Sequence, residues 1–64
     1  MGSILSARAI SSTARGFFDQ GLVYEKESDY QRAIERYTQA LSVYPHYTEA
    51  REHLERVSEA AARQ

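Results

Sequence analysis

Between Tyr30 and Tyr44 the residues Tyr30, Ala33, Ile34, Tyr37, Ala40, Leu41 and Tyr44 recur at intervals of three and four, while Gln31, Arg32, Glu35, Arg36 and Gln39 lie between them. An α-helix turns once every ~3.6 residues, so this spacing gathers the apolar side chains into one stripe and sets the polar ones opposite. The stripe predicts an amphipathic helix over 29–44 that must bury one face. Pro45 ends it, because a proline ring disfavours helical backbone at the residue before it, here Tyr44. Ahead of the stripe, Ser28-Asp29-Tyr30-Gln31 has the form of a capping box, with the Ser28 hydroxyl taking a backbone N–H and Gln31 reaching back.

Two further helices are expected on either side. Phe17, Phe18, Gly21, Leu22 and Tyr24 fall on one face of a helix over 14–27. After the turn at Pro45-His46, Thr48 is expected to cap a third helix over 48–62, with Glu49 and Glu52 near its positive end. Its apolar face of Ala50, Leu54, Val57 and Ala61 is narrow, and Arg51, Glu52, Glu55, Arg56, Glu59 and Arg63 make the rest wet. The fold class is therefore all-α: an antiparallel helical hairpin over 14–47 and a capping helix over 48–64 packed beside the second helix.

Residues 1–13 form an N-terminal extension. Ile4, Leu5, Arg8 and Ile10 are compatible with a continuation of the first helix toward Ser3, and Ser11-Ser12-Thr13 weakens it through hydroxyl competition with the backbone. Met1-Gly2-Ser3 is like a cloning remnant, whereas Met1 to Ser6 also fits the N-myristoylation pattern at Gly2. The stretch 1–18 has no acid and carries Arg8, Arg15 and several serines, which is loosely like an organelle transit peptide.

Phe17, Gly21, Tyr24, Ala33, Tyr37 and Pro45 stand at the spacings of the 34-residue pattern W-x2-L-G-x2-Y, A-x3-F, P, with Asp29-Tyr30, Ala40-Leu41 and Val43 also in keeping. Residues 14–47 thus resemble the tetratricopeptide repeat family, and 48–64 are similar to the solvating helix that follows a last repeat. The resemblance implies a core of Phe17, Gly21, Tyr24, Tyr30, Ala33, Tyr37, Ala40, Leu41 and Pro45, and a non-catalytic protein-interaction role. Gln20 replaces the family's leucine before the glycine, and Gly16 costs the first helix about 1 kcal/mol relative to alanine. Microtubule-interacting-and-transport domains are also similar, through the Asp29-Tyr30 and Ala33-Ile34 turn region; Gly21 and Pro45 favour the repeat. A fragment of a longer repeat co-chaperone or adaptor fits the same residues.

By repeat position the partner-facing side of the first helix presents Arg15, Phe18, Leu22, Glu25 and Lys26. In the subfamily that clamps acidic chaperone tails, a lysine and an asparagine occupy the places of Phe18 and Leu22, so the resemblance implies no such clamp. An apolar patch of Phe18 and Leu22, extended by Ile4, Leu5 and Ile10, suits a partner helix or a second copy, each patch residue gaining about 1.5–3 kcal/mol if fully buried. With only 64 residues and one repeat, the core needs such completion, and a two-fold homodimer is expected. The opposing expectation is that the extension folds back over Phe18 and Leu22.

Other chemistries are disfavoured. The chain has no cysteine and a net charge of -1, with acids and bases interspersed, so thiol chemistry is excluded and nucleic acid is not an expected partner. His46, Glu49 and His53 are spaced to share a helix face as metal ligands, but lack a further ligand. Glu49 with Glu52, and Glu55 with Glu59, imitate a carboxylate pair without a pocket to raise one pKa. No cofactor, metal or small-molecule substrate is expected, membrane association would depend on lipidation of Gly2, and the default compartment is cytoplasmic. Tyr44 and Tyr47 beside Pro45 are expected to pack the turn, or else to be open to binding or modification.

Overall fold

The computed structural model describes residues 10–64, which hold three helices: α1 (Ser12–Lys26), α2 (Tyr30–Val43) and α3 (Thr48–Arg63). The readings placed on Gly2, on Met1 to Ser3, on a transit segment and on a continuation through Ile4, Leu5 and Arg8 lie outside the described residues. α1 and α2 form the hairpin, and α3 packs along α2. The architecture is the all-α arrangement expected, with helix ends within two residues of the predicted ones.

The chemistry of the helix ends differs from the expectation at three places. α1 begins at Ser12 because Ser11 is its N-cap, its side chain accepting from the Thr13 and Ala14 amides at 3.2 and 3.5 Å. Ser11, the first of the three hydroxyl residues expected to weaken a continuous helix, therefore starts α1. Ser28 does not cap α2. It adopts the left-handed backbone, with φ 62°, while the Asp29 amide donates to the Tyr24 carbonyl and the Ser28 amide to that of Glu25. These two bonds close a Schellman turn at the end of α1, with serine where glycine is usual. Asp29 caps α2 instead, accepting from the Arg32 amide at 3.4 Å. Thr48 likewise makes no cap for α3; the N-cap is Tyr47, with no side-chain bond, and the Thr48 hydroxyl donates to the His46 carbonyl at 3.5 Å.

The core explains the small residues. Ala14, Ala33, Tyr37, Ala40, Tyr47, Ala50 and Val57 are buried, with Phe17, Tyr24, Tyr30, Ile34, Leu41, Tyr44 and Leu54 packed partly against them. Gly21 lies directly beneath the Tyr37 ring: a Cβ placed there would come within 2.6 Å of Tyr37 Cδ1 and 2.9 Å of Cζ. No other residue permits α1 and α2 to close on that ring, so the hairpin crossing depends on glycine. Pro45 is exposed in the turn, and Tyr47 is 2% exposed, so packing of the turn is its role.

Candidate functional site: the groove between α1 and α3

The partner-facing set read from the sequence divides in the structure. Phe18 is 8% exposed, its ring centroid 5.1 Å from Tyr47, 5.4 Å from His53 and 5.7 Å from Tyr37. It is core, not surface, because α3 and the turn before it cover the first helix. The patch expected around Phe18 is therefore smaller. Leu22 is half-buried, Arg15 and Lys26 are exposed, and Ile10 packs against the core cluster of its own chain. Ile4 and Leu5 lie outside the described residues. Val23, which the sequence reading passed over, is 54% exposed beside Leu22.

Asp19, Leu22, Val23, Glu25 and Lys26 of α1 face His53 of α3 across an open groove of about 500 Å³. α1 supplies the floor, and α3 the far wall. A second, smaller groove on the other side of Glu25 runs past Tyr30 to Arg56 and Arg63.

Between the two grooves one carboxylate joins all three helices. Glu25 Oε1 accepts from the Tyr37 hydroxyl at 2.6 Å and lies 3.1 Å from His53 Nδ1, while Arg56 Nη2 stands 3.2 Å from the same ring nitrogen. Burial raises the Glu25 pKa, but the bonds from Tyr37 and His53 and the charges of His53 and Arg56 outweigh it and hold the carboxyl below the ordinary value. Burial first, and then the bond to Glu25, push the Tyr37 hydroxyl far above its usual range. The expected place of Glu25 at the rim of a partner patch is thus shared with an internal tie. No pattern of spacing could have revealed this contact, since His53 lies 28 positions away. The only signal was His53 itself, one residue before Leu54 on the narrow apolar face of α3.

His46 packs edge-on against Tyr44, and His53 is engaged with Glu25; among the described residues no three His, Asp or Glu side chains gather as metal ligands. On α2, the Arg32 and Arg36 guanidiniums lie 6.0 and 5.9 Å from the Tyr24 ring centre, an attraction of charge to the ring face that keeps this tyrosine occupied.

The crossing glycine under an aromatic, the buried alanines of α2 and the turn proline give the comparison with known families a structural counterpart at these motif positions. The tetratricopeptide repeat model matches residues 14–47. The chain belongs to the tetratricopeptide repeat family. That match covers just over half of its 64 residues and decides between the two helical families that the turn region resembled. No curated protein and no solved structure matches the chain. Tetratricopeptide repeats are protein-interaction units, and in this chain a third helix packs along the second helix of the repeat. No described helix is long and apolar enough to cross a membrane.

Proposed function

We propose that this repeat is a non-catalytic assembly module that associates with a second copy of itself through the exposed face of α1 and scaffolds protein partners there. The observation that carries the reading is Val23, more than half exposed beside Leu22 on the floor of an open groove, in a fold family made for binding protein. In a solenoid a neighbouring repeat covers such a face, and a two-fold pair lets one patch cover its own copy in the same way. Arg15, Glu25 and Lys26 belong to the rim of this surface; Phe18 supports it from beneath. Ile4, Leu5 and Ile10 of the extension would enlarge the contact.

Against an enzyme, Glu25, the half-buried acid between the grooves, is tuned the wrong way for a general acid at neutral pH, since its pKa is lowered rather than raised. The interspersed charges supply no basic stripe for nucleic acid. A cytoplasmic setting is consistent with this role. Sedimentation equilibrium across a concentration series tests it. The parent is expected to move from monomer to twice that mass, and Val23→Glu, a surface change worth under about 0.5 kcal/mol in stability, to remain monomeric. A parent that stays monomeric at every concentration, or a dimer indifferent to Val23→Glu, overturns self-association through this face.

A further inference from the structure

Four residues of α1 form one stripe along the groove: Asp19, Leu22, Val23 and Lys26. Their spacing of three, four and seven places them on the same side of the helix. Asp19 and Lys26 are both exposed, and neither makes an ion pair among the described residues, where the pairs are Arg32 with Asp29 and His53 with Glu25. The acid and the base are equidistant from the midpoint between Leu22 and Val23.

That symmetry has a consequence for how two copies meet. If two α1 helices lie antiparallel across a two-fold axis passing between Leu22 and Val23, each Asp19 comes opposite Lys26 of the second copy, and the contact is made twice. The apolar pair is then at the centre, with opposite charges closing both ends. A parallel pairing sets Asp19 against Asp19 and Lys26 against Lys26, and is repelled at both ends.

We propose that the self-association of this chain, resting on the reading above, is an antiparallel α1-to-α1 pairing whose register is set by Asp19 and Lys26 about a Leu22–Val23 centre. The internal carboxylate Glu25 sits to one side of the stripe, engaged with Tyr37 and His53, and takes no part in the register.

Charge reversal and mixing test this in the full chain. Lys26→Asp leaves two acids at the ends of the stripe, and Asp19→Lys leaves two bases; each is expected to weaken its own homodimer about tenfold, two like-charge contacts of about 0.7 kcal/mol each. Mixed in equal amounts, the two variants are expected to form a heterodimer at least as tight as the parent dimer, and the double variant to dimerise within about twofold of the parent. Added salt should strengthen each singly reversed homodimer while weakening the parent. Thermal melts by circular dichroism confirm that each variant is folded. A parent dimer whose dissociation constant is unmoved by either reversal, or reversed variants that fail to pair on mixing, overturns the register while leaving self-association standing. A parent that never dimerises removes both.

Discussion

The two seams of this molecule are built on different principles. Where α1 meets α2, small residues let the backbones close on an aromatic: Gly21 lies beneath Tyr37, and Ala33 and Ala40 are fully buried. Where α1 faces α3, the helices stand apart and are bridged by the Phe18, Tyr47 and His53 rings and by the Glu25 to His53 contact, with grooves left on either side. The first seam is intolerant of added atoms, because the density of a packed interior leaves nowhere for them to go. The second has room, and that room is the surface available to a partner. A hairpin held by close packing can thus carry a looser face without losing its own geometry.

The largest expected effect breaks the first seam. Gly21→Leu must drive the Tyr37 ring from its place and with it the bond to Glu25, and should destabilise the chain by about 3 kcal/mol or more. For a domain of this size that approaches the whole of its stability, so the thermal midpoint by circular dichroism should collapse. An unchanged midpoint would mean that the crossing is not held by glycine.

The contrast within α1 is sharpened by its other glycine. A Cβ added at Gly16 meets nothing within 4 Å, so Gly16→Ala gains helix propensity without a clash and should stabilise by about 1 kcal/mol in chemical denaturation. Opposite signs at two glycines on one helix locate the packed seam along it.

The smallest effect concerns the polar tie of the second seam. Because the Glu25 carboxyl is held below the ordinary value of 4.5 in the folded chain, the folded state binds fewer protons there than the unfolded state near that pH. Its contribution is present above pH 4.5 and is lost as the pH falls through the lower folded value. Denaturant midpoints from pH 7 to pH 3 should show this fall in the parent and a shallower one in Glu25→Gln, the difference being under about 1 kcal/mol for a partly exposed group. Parallel curves would remove Glu25 from the tie.

The hairpin was legible because its signals are local and periodic. The α2 stripe, the Gly21 position and the Pro45 stop each act through neighbours within a turn or two, and the helices stand where that reading put them. The helix ends were read less well. Ser28 and Asp29 are both capping residues by type, and which of them caps α2 depended on Ser28 taking the left-handed turn that closes α1. Phe18 was the costliest error for the site: repeat position placed it on the partner-facing side of the first helix, although periodicity grouped it with the apolar face, and the path of Tyr47 and α3 over that side made it core. Val23 was passed over for the converse reason, as an apolar residue left outside once Phe18 turned inward.

What the sequence determined by itself is the repeat: three helices, the glycine crossing and the family, all encoded by spacings that a single helix turn reads. What only the tertiary structure decided is the face that remains for binding. The Glu25, Tyr37 and His53 contact and the burial of Phe18 join residues from three helices across separations of up to 28 positions. Such contacts depend on where a third helix comes to rest, which is set by the packing of α3 on α2, not by any pattern within α1.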